Sequence, residues 1–109
     1  MEERRKHPRI PMTGWVEISG QGWNETINGY ISNVSIGGIA VYTKEFLPAE
    51  TYVILSLHFF GLREMAFIKG LPGRIISSVK LDQAFRTGIR FQKPITKESE
   101  PVLFSFLTR

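Results

Sequence analysis

Two arginines four residues apart, Arg5 and Arg9, stand in the run Arg5-Lys6-His7-Pro8-Arg9 near the amino terminus. Pro8 and Pro11 stop any helix and bias His7 and Ile10 toward extended backbone. An extended chain rises about 3.3 Å per residue, which sets the two arginine Cα atoms roughly 13 Å apart. At that spacing both guanidinium groups can converge on one anion about the size of a dinucleotide. The planar guanidinium fork meets phosphate in bidentate fashion, pairs with O6 and N7 of guanine, or stacks on the base. A second cluster is Asn33-Val34-Ser35-Ile36-Gly37-Gly38. Asn33 offers an amide and Ser35 a hydroxyl to the polar edge of a base. Gly38 suits a position of positive φ, or one where a ligand approaches the backbone. Val34 and Ile36 are expected to point the other way, into the interior.

The intervening and following residues must supply a rigid frame for these groups. Period-two patterning from Gly14, with Val16 and Ile18 alternating with Glu17 and Ser19, predicts a strand with one buried face. Further strands are expected at Tyr30–Val34, Ile39–Thr43, Tyr52–Phe60, Met65–Val79 and Phe85–Phe91. Turns are expected at Asn28-Gly29, at Gly37-Gly38 and at Leu81–Gln83, with a bend at Pro72-Gly73 in the long strand. Val53, Leu55, Leu57 and Phe59 form an inward row, as do Phe85, Thr87, Ile89 and Phe91. Arg86 and Arg90 face outward; they read first as soluble strand residues, with an extension of the basic surface toward an anionic ligand as the alternative. Trp15 reads as core and Trp23 as loop packing. After these strands the period changes, and Val102, Leu103, Phe106 and Leu107 share a helical face, with Ser99 as the expected cap and Pro101 in the first turn. Six closely spaced strands predict an all-β chain, an antiparallel barrel or sandwich, with a short C-terminal helix.

Composition narrows the chemistry. The chain has 109 residues, 42% of them hydrophobic, which fits one domain with one core. With no cysteine it has no disulfide, no thiolate nucleophile and no cysteine-based metal site. Two histidines far apart in sequence give no metal-ligand pattern, and Asp82 is the sole aspartate. No nucleophile–base–acid arrangement is legible, so neither an enzyme nor a cofactor is expected. The charged amino terminus is not followed by an apolar stretch, and Val53–Phe60 falls far short of the ~20 residues a membrane span needs. A soluble, cytoplasmic domain without membrane insertion is the expectation. The net charge of +4 favours anionic partners, and four of the fourteen cationic side chains, Arg4, Arg5, Lys6 and Arg9, fall within the first nine residues.

Taken singly, the basic run reads as a solvated tail and the Asn-x-Ser-x-x-Gly stretch as turn chemistry. Together and in this order they resemble the PilZ family, whose signature is RxxxR followed by [D/N]xSxxG. The matches are Arg5 and Arg9, then Asn33, Ser35 and Gly38. The resemblance implies a six-stranded antiparallel barrel that binds cyclic-di-GMP. Residues 1–11 would be a flexible arginine-bearing arm, and residues 12–109 the barrel, with its helix at about 97–108. Arg5 and Arg9 would grip phosphate and the outer guanine edges, while Asn33 and Ser35 read a guanine. Where many members carry aspartate, Asn33 still accepts from guanine N–H but without charge assistance. Arg4, directly before the motif, implies an intercalated dimer of the ligand. A conformational response to ligand would signal to an unknown protein partner. Two alternatives stand beside this reading: a degenerate member acting as a ligand-independent protein-interaction domain, and a small basic barrel binding single-stranded nucleic acid. The latter is disfavoured because most aromatics fall on predicted inward positions or in the terminal helix.

Overall fold

The computed structural model describes residues 7–109. Its elements are β1 (Ile10–Pro11), β2 (Gly14–Gly20), β3 (Ile27–Val34), β4 (Gly38–Thr43), β5 (Tyr52–Phe60), β6 (Met65–Lys80), β7 (Phe85–Phe91) and α1 (Pro101–Leu107). The strands form one antiparallel sheet in the order β1-β3-β2-β5-β6-β7-β4, and β3 also pairs with β4. That last pairing closes β2 to β7 into a six-stranded barrel. The two-residue β1 is an addition on the open flank of β3, with Ile10 opposite Val34 and Pro11 opposite Asn33.

Period-two patterning explains which faces meet inside. Val16 and Ile18 of β2 are fully buried, as are Leu55, Leu57 and Phe59 of β5, while their sequence neighbours face outward. Val34, Val41, Ile75 and Ile89 complete the core from the other strands. Polar groups inside this core are paired. The buried Thr87 hydroxyl lies 3.4 Å from that of Thr43 and 3.1 Å from that of Ser78, tying β7 to β4 and β6. Helix α1 buries Leu103 and Phe106, and the Phe106 ring meets Phe59 edge-on at 5.8 Å.

Several local expectations are corrected. Asn28-Gly29 lies inside β3, where Gly29 pairs with both Val16 and Thr43; the chain reverses earlier, through Gly22 at φ 82°. The long strand β6 is not bulged at Pro72-Gly73. Leu55 pairs with Leu71 and Leu57 with Ile68, so the extra residue falls at Lys69–Gly70, where Gly70 has φ 79°. A second irregularity falls between Ile75 and Ser77. Ser99 does not cap α1, whose N-cap is Glu100 without a side-chain bond. Instead Ser99 exchanges hydrogen bonds of 3.0 Å with Thr96, forming a separate turn before the helix. Gly38 does not adopt positive φ. A Cβ there would stand 2.5 Å from the Ile89 carbonyl oxygen of β7, so the residue is small because two backbones press together. Substituting Gly38→Ala should therefore lower the stability of the ligand-free protein by about 1–3 kcal/mol. Urea denaturation measures this, and an unchanged midpoint would contradict the close contact.

Candidate functional site

The turn between β3 and β4 is built by its own serine. Ser35 N donates to the Gly38 carbonyl at 2.8 Å, and the Ser35 hydroxyl accepts from Gly37 N and Gly38 N, both at 3.2 Å. This is the physical use of serine here: a hydroxyl oxygen satisfies two amides that a tight turn leaves without ladder partners. Two further bonds pin the turn from outside, Phe91 N to the Gly37 carbonyl at 3.0 Å and Ile95 N to that of Ile36 at 2.9 Å. Asn33 sits where the β3–β4 register shifts, and its amide nitrogen donates to the Ser32 hydroxyl at 3.3 Å.

Through β1 the arm enters beside Asn33. His7 lies close against Gly37. Arg9, which has an interaction of its own, reaches the same place. The result is a cleft of about 300 Å³ bounded by His7, Arg9, Asn33, Ser35 and Gly38, with β7 contributing Arg86, Gly88 and Arg90. Of the sequence-predicted site residues, the structure brings Arg9, Asn33, Ser35 and Gly38 together; Arg4 and Arg5 lie outside the described residues. Among the described residues the lining holds three arginines and no carboxylate. Two larger grooves differ in this respect. One of about 770 Å³ runs past Trp15, Tyr30 and Tyr42 and includes Glu17 and Glu45. The other, of about 940 Å³, lies between the β5–β6 hairpin and α1 and includes Glu64 and Glu100. An anion meets unopposed positive charge only in the first of these three.

Arg86 and Arg90 are lining residues for which strand patterning leaves open whether they are ordinary outward arginines or an extension of the basic surface. Their alternation with Gly88 was legible, but the neighbour of β7 was not. Among the described residues, no group of three His, Cys, Asp or Glu is placed to hold a metal ion, and no helix is long and apolar enough to cross a membrane.

The outer wall corrects a further expectation. Trp15 is not core but 41% exposed, and Tyr30, Tyr42 and Phe67 are exposed with it. Strand registers align Phe67, His58, Trp15, Tyr30, Tyr42 and Arg86 in one row across β6, β5, β2, β3, β4 and β7. His58 lies between two rings, stacked on Trp15 at 4.7 Å and tilted by 35° against Phe67 at 4.6 Å. At the far end of the row, the Ser32 hydroxyl donates to Tyr42 Oη at 3.4 Å. That bond, joined by a hydrogen bond and charge from Arg86 and opposed by desolvation, holds the Tyr42 phenol below its ordinary value of 10.0. The unfolded chain then binds more protons than the fold as pH climbs toward 10.0, so stability rises through that range. Titration followed by the Tyr42 ring resonances should show its phenol ionising below 10.0, and Ser32→Ala should move it back up.

A family model described as the PilZ domain matches residues 3–109. No curated protein sequence matches the chain. Solved structures that match include the Bacillus subtilis inhibitor of motility, MotI/DgrA, at 17% identity and a TM-score of 0.75. That match covers 95% of this chain and 50% of the other, so the chain spans about half the length of the B. subtilis protein. The PilZ domain of YcgR from Escherichia coli, solved with c-di-GMP, matches at 15% identity and a TM-score of 0.67, covering 95% and 92% of the two chains. The PilZ domain of CeSA from a cellulose-synthesizing bacterium matches at 22% identity and 0.57, covering 92% and 94%. At these identities the structures speak for the fold alone, while the family model extends over nearly every residue. This chain belongs to the PilZ domain family.

Proposed function

We propose that this domain is a receptor for cyclic-di-GMP, bound in the cleft between the arm, the Asn33–Gly38 turn and β7, and that it acts without catalysis of its own. The observation that carries the reading is the convergence of Arg9, Asn33, Ser35 and Gly38 on one cleft whose described lining has no carboxylate. Family membership supports it, as does the fact that the YcgR relatives were solved with c-di-GMP. The ligand brings two phosphate charges and two guanines. Arg5 and Arg9 take phosphate and the outer guanine edges, and Asn33 accepts from guanine N–H. The Ser35 hydroxyl, already engaged within its turn, serves chiefly to hold the two glycines in place.

In this reading residues 1–11 act as the arm and residues 12–109 as the barrel. The dianion adds to the β1–β3 pairing that already ties the arm to the barrel, supplying the differential energy that favours the docked over the free arm, and the docked arm presents a new surface to a partner protein. Arg4 extends the positive charge enough for an intercalated pair of ligand molecules. On this reading the domain works in the cytoplasm.

A charged hydrogen bond contributes about 1.5–3 kcal/mol, and 1.4 kcal/mol is one decade of affinity. Replacing either Arg5 or Arg9 by Ala should therefore weaken cyclic-di-GMP binding at least tenfold in calorimetric titration. The same titration counts ligands per chain. Wild-type affinity in both variants would remove the site assignment. One observation favours a second reading: the outward aromatic row, ending at Arg86, is the kind of platform on which single-stranded nucleic acid stacks. Titration with oligonucleotides at moderate salt separates the two, and the receptor reading expects no binding there.

A further inference from the structure

Strand β7 alternates strictly where it borders the cleft. Thr87 and Ile89 are buried, whereas Arg86, Gly88 and Arg90 face out. Gly88 pairs with Ala40 of β4 on one side and Ser77 of β6 on the other, so small residues form the cleft floor at this level. Arg86 pairs with Tyr42 and Arg90 with Gly38, which places one arginine on each side of that floor. Strand rise sets their Cα atoms about 13 Å apart, the spacing expected for Arg5 and Arg9 on the arm. Arg74, across from Arg90 on β6, is engaged by Glu50 at 3.1 Å and adds little net charge of its own.

Gly88 is not required by packing. A Cβ there would meet only the Ser77 hydroxyl at 3.1 Å, a group that can rotate away, whereas one at Gly38 would strike the β7 backbone. Glycine within a strand weakens it through backbone entropy and a missing side chain. An unforced glycine flanked by outward arginines therefore marks a place where something flat approaches the backbone.

We propose that Arg86, Gly88 and Arg90 form a second ligand-binding element, in which a guanine base of the ligand lies on the bare strand at Gly88 and the two guanidinium groups take its phosphate and polar edge from either side. The inference rests on the cyclic-di-GMP reading and assigns the barrel side of the same cleft. Arginines carried by a strand within a closed barrel lose less freedom on binding than groups on an arm, so this element orients the ligand.

Calorimetric titration with cyclic-di-GMP tests the assignment, with folding of each variant checked by thermal unfolding. Arg86→Ala and Arg90→Ala should each weaken binding at least tenfold, and Arg90→Lys, which keeps the charge but loses the fork, should fall between Arg90→Ala and wild type. Gly88→Val should abolish binding while leaving the unfolding temperature no lower than wild type. Arg63→Ala, the same charge change on the distant β5–β6 hairpin, should bind normally. If Arg86→Ala, Arg90→Ala and Gly88→Val all bind as wild type while Arg9→Ala does not, the arm and turn alone hold the ligand and the inference fails. Absence of any binding by the unmodified protein would overturn the cyclic-di-GMP reading itself, and this inference with it.

Discussion

Everything at the cleft depends on the hydrogen-bonded seam between β3 and β4. Without it the sheet would be open, with β1 and β3 at one edge and β4 and β7 toward the other. At about 4.8 Å per strand, five spacings would put β3 and β4 roughly 24 Å apart. The arm, held to β3, would then never face the arginines of β7. Closure brings the two edges together, and the cleft lies along that seam. Gly38 permits the adjoining β4–β7 pairing, since those two backbones approach too closely there for any side chain. The Asn33 register shift sits on the same seam and turns that side chain toward the cleft.

Charge then selects among the concave surfaces that the barrel offers. The larger grooves are lined by cations and carboxylates together, and opposite charges side by side leave little field for a dianion. In the seam cleft every charged side chain of the described lining is a cation. Its floor is made of small residues, and one wall is a turn whose amides are already satisfied by Ser35. A polar site of this kind is stable without ligand because its backbone groups do not wait for one.

The outer aromatic row follows different physics. Cross-strand neighbours on one face stabilise a sheet whether or not that face is buried, and the His58 ring between Trp15 and Phe67 is such a contact. Aromatic residues are therefore poor evidence of inward direction in a small barrel. Trp15 alternates with buried Val16 as its position requires, and its size alone suggested a place in the core.

Much was legible in the sequence because it depends on neighbours along one chain. The period of two set the faces of β2, β5 and β7, the change to helical period announced α1, and motif spacing named Asn33, Ser35 and Gly38 before any strand was paired. Features that depend on which strands meet were not legible. The bulge fell at Gly70 because β5 sets the count opposite it, Asn28-Gly29 stayed in a strand because β2 and β4 pair with it, and Ser99 bonded Thr96 instead of capping the helix. For Arg86 and Arg90 the sequence leaves two readings open, solvated strand residues or an extension of the basic surface, since it records their outward direction but not what stands across from them. Alternation is a local property of backbone geometry, and the partner of a strand is decided only when the sheet closes.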